Sequence, residues 1–224
     1  MPNSTGILQL AEVGFTYGRK NPILSGLNLE ILEGEIVAVM GPSGTGKTTL
    51  LGIVSGLLQA RSGRVSVANH DFMTLSPSAR AAVRRRCLGM VFQGPELLPE
   101  LSVVENVALT MIFDGVDRRS ALERADETLQ AVRLDGMQGR KVDEISGGEA
   151  QRVALARALC RPEMQLLVAD EPTASLDQGN AMHVIELLCH NVRARGAAGL
   201  VATHDPAVAD RCDRVLDLRV SVSP

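Results

Sequence analysis

A cation, a hydroxyl, two adjacent carboxylates and an imidazole in this chain have surroundings suited to chemistry on a string of phosphates. Gly41-Pro42-Ser43-Gly44-Thr45-Gly46-Lys47-Thr48 fits the spacing G-x-x-x-x-G-K-[ST], whose glycines let successive backbone N–H groups close around phosphate oxygens. The apolar run Glu35-Ile36-Val37-Ala38-Val39-Met40 ahead of it suits a buried parallel strand, and Thr49-Leu50-Leu51 through Leu57-Leu58 continues with helical spacing. A strand, a loop and a helix in that order put an anion at the helix N-terminus, where unpaired N–H groups and the dipole favour it. Lys47 would then reach the outer phosphates and the Thr48 hydroxyl a Mg²⁺ ion. A plain glycine-rich turn is the alternative, and the strand before it and helix after it argue against that.

The second buried-strand candidate, Met164-Gln165-Leu166-Leu167-Val168-Ala169, delivers Asp170-Glu171-Pro172 at its C-terminal end, where open α/β sheets bind ligands. There Asp170 would hold Mg²⁺, through water, and Glu171 would polarise the water that attacks a terminal phosphate. A solvated acidic turn is the bland alternative. Leu200-Val201-Ala202-Thr203 reads as a further strand, so His204 falls at a strand end, where it either donates to phosphate or caps the turn before Pro206.

Ser146-Gly147-Gly148-Glu149 reads first as a capping box, with a Ser N-cap and Glu at the third helical position, ahead of Val153, Leu155, Ala156 and Leu159. Capping leaves Gly147 and Gly148 unexplained. Two glycines weaken a helix start but strip it of side chains, so that a phosphate can approach its N–H groups. Arg152 and Arg157 follow on the same helix, and Pro162 marks its end.

With these motifs in this order, the chain resembles the nucleotide-binding subunit of ATP-binding-cassette (ABC) transporters over nearly its whole length. Residues 41–48 are similar to the Walker A loop, 166–171 to the Walker B strand with its catalytic glutamate, and ISGGE at 145–149 to the signature, usually LSGGQ, with Ile for Leu and Glu for Gln. The resemblance implies an ATP site built from Gly41 to Thr48 and Thr49, with Glu171 and His204 catalytic and with Thr48, Gln93 and Asp170 around Mg²⁺. It also makes Gln93 the Q-loop glutamine, which touches metal or water and senses the membrane partner, and Ser175-Leu176-Asp177 the D-loop at the dimer interface. His204 becomes the switch histidine on the γ-phosphate, and Tyr17, the chain's only tyrosine, the aromatic that stacks on adenine. In this family the two halves of one site come from different subunits. The expected assembly is therefore an ATP-dependent head-to-tail homodimer in which Ser146, Gly147, Gly148 and Glu149 close over nucleotide held by the other chain.

Composition agrees. The chain has 224 residues, 45% of them hydrophobic, enough for a substantial core in one domain, expected over residues 5–220, with an inserted subdomain. It has no apolar run near the roughly eighteen residues that a membrane span needs. Its start, MPNSTGILQL, lacks the basic region and apolar core of a signal peptide, and nothing past Pro224 suggests an accessory domain. Cys87, Cys160, Cys189 and Cys212 show no metal spacing and fit a reducing cytoplasm. A formal net charge of −3 argues against a nucleic-acid partner, and Arg80 with Arg84-Arg85-Arg86 reads as a solvated helix face.

The motifs fall on an expected α/β P-loop core, about 5–93 and 162–220, with an N-terminal antiparallel β part, and a helical subdomain at about 94–161. Ile7-Leu8-Gln9-Leu10 and Leu27-Asn28-Leu29-Glu30-Ile31 alternate as antiparallel strands do. Ser120-x-x-Glu123 offers a capping box before Leu122, Ala125, Leu129 and Val132, with Gly136 to end that helix. Ile185, Leu188 and Val192 predict a helix stopped near Gly196, and Arg214 to Val220 a last strand.

From Gly94 through Leu97, Leu98 and Glu105 to Asn106, leucines mix with carboxylates, as in a groove that receives a short helix from another chain; ordinary packing of a subdomain edge is the alternative. This wording resembles the branch of lipoprotein-release, macrolide-efflux and cell-division ATPases. The resemblance implies a subunit on the inner face of the cell membrane, attached there through a permease docking near Gln93 to Asn106, that powers export or mechanical work. A non-transporting complex that regulates a cell-wall hydrolase or cell division is the alternative. A GTPase would carry an N-K-x-D-like guanine reader, and a DNA-repair or translation ATPase tandem cassettes, coiled-coil insertions or basic surfaces; the sequence has none of these.

Overall fold

The computed structural model describes residues 6–18 and 22–219. Thr5 and Val220, the expected outer limits of the domain, lie outside them. Strand β1 (Leu8–Phe15) alternates buried and exposed residues over its first half, and it pairs antiparallel with β2 (Leu24–Ile31) and β4 (Ser62–Val67), as the alternating segments predict. With the short β5 (His70–Asp71) this forms a four-stranded sheet of order β2-β1-β4-β5. Its buried face, including Leu8, Leu10, Leu27 and Ile31, shares one apolar core with helix α1 (Lys47–Val54).

The second sheet is parallel, of order β6-β7-β8-β3-β9. Strands β3 (Ile36–Met40), β7 (Leu166–Asp170) and β8 (Ala198–Ala202) are buried almost end to end, the pattern of strands covered on both faces. Edge strands β6 (Leu88–Val91) and β9 (Arg214–Asp217) complete it, so the last strand ends three residues before Val220. Parallel pairing aligns the strand ends: Val39 and Asp170 both stand opposite Ala202, and Val91 stands opposite Ala169. The residues that follow, Gly41, Phe92-Gln93, Glu171 and Thr203-His204, are thereby delivered to one edge.

Helices α3 (Val103–Phe113), α4 (Arg118–Ala131) and α5 (Gly147–Leu159) pack on one another, and their apolar faces join α6 (Gln178–Ala194) and the far face of the parallel sheet in a second core. A short helix, α7 (Pro206–Ala209), follows His204. Five sequence expectations need correction. Helix α1 stops at Val54, not Leu58: Gly56 turns left-handed with φ 67°, and the N–H groups of Leu57 and Leu58 fold back to the Gly52 carbonyl. Helix α4 starts a turn before Ser120, because Asp117 accepts from the N–H groups of Arg119 and Ser120, while Glu123 pairs with Arg119. It ends before Gly136, with Arg133 taking the left-handed position at φ 58°. Helix α2 (Pro77–Cys87) is only partly a solvated basic face: Arg80 is buried beside Gln59, and Arg84 donates to the Ser55 carbonyl, whereas Arg85 and Arg86 are exposed and paired with Asp114 and Glu163. Helix α3, with its Ser102–Glu105 capping box, buries Val103, Asn106 and Val107 inside the segment expected to face a partner.

Leu155 lies on α5 at the centre of the second core, fully buried. Leu155→Ala is expected to lower unfolding free energy by about 2–5 kcal/mol, measured by urea denaturation, because the surrounding helices and sheet cannot collapse fully onto the cavity.

Candidate functional site

A cavity of about 530 Å³ opens over the C-terminal edge of the parallel sheet, lined by Tyr17, Ile23, Ser43, Gly44, Gly46, Lys47, Thr48, Thr49, Gln93, Asp170, Glu171, Ala174 and His204. Gly46 is the N-cap of α1, at φ 100°, and no side chain caps that helix. A Cβ at Gly46 would stand 2.8 Å from Ile23 Cγ2, so both its backbone angle and its packing demand glycine. The uncapped N–H groups of α1 thus face a cavity with room for an anion. Gly41, Pro42 and Thr45 shape the loop from behind: Thr45 Oγ1 donates to the Pro42 carbonyl at 2.8 Å, and the Gly41 carbonyl accepts from Lys47 Nζ at 2.6 Å.

Across the cavity, Thr48 Oγ1 donates to Asp170 Oδ2 at 3.2 Å. Burial, above all, pushes the Asp170 carboxyl up from its ordinary range; the Thr48 hydrogen bond opposes the shift and the neighbouring Glu171 charge adds to it. Glu171 takes a left-handed φ of 47°, held by its N–H on the Ala202 carbonyl at 2.9 Å. That twist turns its side chain away from the direction of β7 and toward β8. Glu171 Oε2 then lies 2.9 Å from His204 Nδ1, while Oε1 lies 4.0 Å from Lys47 Nζ. His204 is otherwise exposed, with a side chain 70% accessible, so its remaining ring edge is open to a ligand.

Tyr17 is half exposed, packs edge-on against Phe15 with ring centroids 4.8 Å apart, and approaches Thr49 Oγ1 through its hydroxyl at 3.4 Å. One ring face remains available at the cavity mouth. Gln93 also lines the cavity.

Ser146, Gly147, Gly148 and Glu149 do not reach this cavity. They start α5, where Ser146 Oγ accepts from the Glu149 N–H at 3.3 Å and Glu149 Oε2 accepts from the Ser146 N–H at 2.7 Å. Hydrogen bonds from Ser146, chiefly its N–H, hold the Glu149 carboxyl below its ordinary value. Around Gly147 a Cβ would meet nothing within 4 Å, whereas at Gly148 it would press on Asn180 at 3.1 Å. The first glycine therefore leaves open surface, and the second lets α6 approach.

Gln151 and Arg157 carry contacts that sequence reasoning missed. From α5, Gln151 Nε2 donates to the Phe92 carbonyl at 3.0 Å, and Arg157 donates to the carbonyls of Glu96 and Pro95 at 2.6 and 2.7 Å. They bind the helix that begins at Ser146 to the loop that carries Gln93. Helical spacing placed both on α5, but nothing in the sequence pairs a buried glutamine with a carbonyl 59 residues away. The cavity-lining Ile23 and Ala174 likewise carry no motif.

Residues 24–174 match the family model described as ABC transporter. The chain is 46% identical over 201 residues to the lipoprotein-releasing system ATP-binding protein LolD of Novosphingobium aromaticivorans, covering 89% of each chain. It is 39% identical over 218 residues to the macrolide export ATP-binding/permease protein MacB of Shigella flexneri, covering 96% of this chain and 33% of that one. Among solved structures it is similar to a dimeric post-hydrolysis state of the ATP-binding cassette MJ0796 bound to ADP and Pi, with TM-score 0.82 and 34% identity over 94% of this chain and 93% of that chain. With an antiparallel sheet, a parallel sheet and a helical subdomain around this cavity, the chain belongs to the ABC transporter family, as an ATP-binding subunit that hydrolyses ATP.

Proposed function

We propose that this subunit powers a separate membrane permease, in efflux or in the release of lipoproteins from a membrane. The observation that carries the reading is the contact of Glu171 with His204, 2.9 Å apart, inside the cavity that holds Lys47 and the uncapped start of α1. The likeness to LolD over most of both chains supports release or export over the cell-wall-regulating alternative.

ATP enters with its phosphates on the N–H groups of residues 41–48 and its adenine against Tyr17. Lys47, whose Nζ donates to the Gly41 carbonyl and lies near Glu171, donates charge-assisted hydrogen bonds to the outer phosphates. The Glu171 carboxylate accepts the proton of the attacking water, and His204 both orients that carboxylate and donates toward the terminal phosphate. The oxygen-rich set of Thr48 and Asp170, already 3.2 Å apart, fits a hard divalent cation, and Gln93 completes it; bound Mg²⁺ would neutralise charge on the phosphates.

One chain supplies only half of the closed site. The signature segment stays outside the cavity and Gly147 presents open surface, which supports a head-to-tail dimer in which Ser146, Gly147, Gly148 and Glu149 of the partner subunit cover the γ-phosphate. The dimeric form of MJ0796 points the same way. Loss of that phosphate on hydrolysis releases the contact and reopens the pair. Asp177, N-cap of α6, and Ser175 two residues before it stand exposed where a second subunit would meet them.

The permease docks beside the Gln93 loop. There a groove of about 380 Å³ is lined by the exposed Phe92, Leu98 and Phe113 with Glu96 and Arg85 at its rim. Asn106 takes no part in docking, since it is fully buried and its side chain ties up the Leu98 and Ser102 carbonyls. No helix among the described residues is long and apolar enough to cross a membrane.

Glu171→Gln is expected to slow ATP hydrolysis roughly 10²- to 10⁴-fold, the usual scale for a positioned base, and to trap an ATP-bound dimer on size exclusion. Wild-type turnover in that variant would remove Glu171 from the mechanism. Lys47→Ala is expected to weaken ATP binding roughly 10- to 100-fold by calorimetry, the loss of charge-assisted hydrogen bonds to phosphate. With Glu171→Gln as bait in detergent-solubilised membranes, a permease is expected to co-purify, and Leu98→Asp with Phe113→Asp to abolish its recovery while leaving ATP binding intact.

A further inference from the structure

Helices α5 and α6 meet at their first turns, and one side chain stands at the contact. Asn180, in the first turn of α6, is bound twice to the N-cap residue Asp177: its backbone N–H donates to Asp177 Oδ1 at 3.1 Å and its Nδ2 to Asp177 Oδ2 at 2.5 Å. Both carboxylate oxygens are thus engaged by one residue, and these bonds, the side-chain bond foremost, hold the Asp177 carboxyl below its ordinary value. Capping a helix needs only the backbone bond. The second bond fixes the Asn180 amide, whose oxygen is turned to α5. There it meets Gly148, where a Cβ would stand 3.1 Å from both Cγ and Oδ1 of Asn180 and 3.5 Å from its Cβ.

The two glycines at the start of α5 therefore differ in kind. A side chain at Gly147 would meet nothing within 4 Å, whereas one at Gly148 could be seated only if the Asn180 amide moved, and the bonds to Asp177 resist that movement. Asp177 ends the segment Ser175-Leu176-Asp177, and Gly147 is the bare start of α5; in the head-to-tail assembly proposed above, the second subunit meets both. We propose that Asn180 is a positioning residue of that composite site: its amide, clamped by Asp177, sets the spacing between the start of α5 and the segment before α6, and Gly148 lacks a side chain in order to seat it.

The role rests on the head-to-tail reading, and its physical content is preorganisation. Two contact segments held at a fixed spacing are ordered before the partner arrives, so the cost of ordering them does not fall on association. Asn180 decides where the start of α5 stands and not whether it forms, because Ser146 and Glu149 already cap that helix reciprocally. Nor does Asn180 line the nucleotide cavity. Its loss therefore falls on assembly of the dimer and on turnover, while the first binding of ATP at α1 depends on other residues.

The test is a double-variant cycle in the full-length Glu171→Gln protein, read as the dissociation constant of the ATP-bound dimer by analytical ultracentrifugation, with calorimetric ATP affinity and a thermal melt for each variant. Asn180→Ala is expected to raise that constant about tenfold, within the range of coupling between residues in contact, and to move ATP affinity by less than about twofold. Gly148→Ala should raise it at least as far. Gly148→Ala combined with Asn180→Ala should return to the Asn180→Ala value, because the amide that the new methyl strikes is gone. Gly147→Ala has no such neighbour, so its loss should multiply with that of Asn180→Ala. Losses at Gly148 and Asn180 that multiply, or an Asn180→Ala loss that falls on ATP affinity as heavily as on the dimer, would overturn the proposal. A Glu171→Gln protein that stays monomeric at saturating ATP would instead overturn the head-to-tail reading. The contact itself is then judged by the same cycle on melting temperatures, where additive losses overturn it.

Discussion

The register of the parallel sheet is the constraint on which the site depends. Ala202 of β8 stands opposite both Val39 of β3 and Asp170 of β7, so three strands finish level and their next residues leave the sheet together. Because side chains alternate with a period of two, a slip of one residue would send the apolar residues of a strand to the wrong face and move Glu171 or His204 by a full residue along the edge. Burial on both faces forbids that slip: Leu166, Ala169, Leu200 and Ala202 are wholly enclosed between two apolar cores. The precision of a polar site thus rests on apolar packing beneath it.

At the level edge, chain direction alone does not bring the carboxylate of Glu171 to His204. A residue continuing β7 in extended form would point along the strand; the left-handed turn at Glu171 redirects it across to β8, at a cost of order 1–2 kcal/mol. The Glu171 N–H on the Ala202 carbonyl and the carboxylate on His204 offset that cost. Strain of this kind at the end of a strand, beside the half-buried carboxyl of Asp170, marks the place where the fold has been bent to chemistry instead of to packing.

How much of this was legible depended on whether the information was local. The phosphate loop, the Asp170-Glu171 pair after a buried strand, the antiparallel alternation of residues 7–10 and 27–31 and the cap at Ser146 were readable because a few neighbouring residues determine each of them. The failures came where two local signals competed. Asp117 and Ser120 both offer an N-cap, and the earlier carboxylate, which reaches two N–H groups, wins. Gly136 and Arg133 both follow α4, and Arg133 accepts the left-handed turn although glycine would do so at less cost. The basic run on α2 failed for a different reason, since only tertiary structure sets Arg80 under Gln59 and aims Arg84 at the end of α1. Contacts such as Gln151 with Phe92 or Cys189 with the Arg211 carbonyl join distant parts of the chain and leave no mark in its local pattern.

The two helix N-termini proposed to meet at one nucleotide are finished in opposite ways, and the contrast bears on how a dimer would work. No side chain caps helix α1, and its first N–H groups face the cavity that holds Lys47. Helix α5 is capped reciprocally by Ser146 and Glu149 and is therefore stable on its own, with only the bare surface at Gly147 left for an approaching phosphate. Nucleotide should accordingly bind first and firmly to α1, whose unmet groups it satisfies, and only secondarily to α5, which loses little by its absence. A contact that is weak by itself is the kind that one phosphate can make and its departure can break. Gln151 and Arg157, anchored from the same helix to the loop around Gln93, give that contact a rigid path to the exposed groove of Phe92 and Leu98.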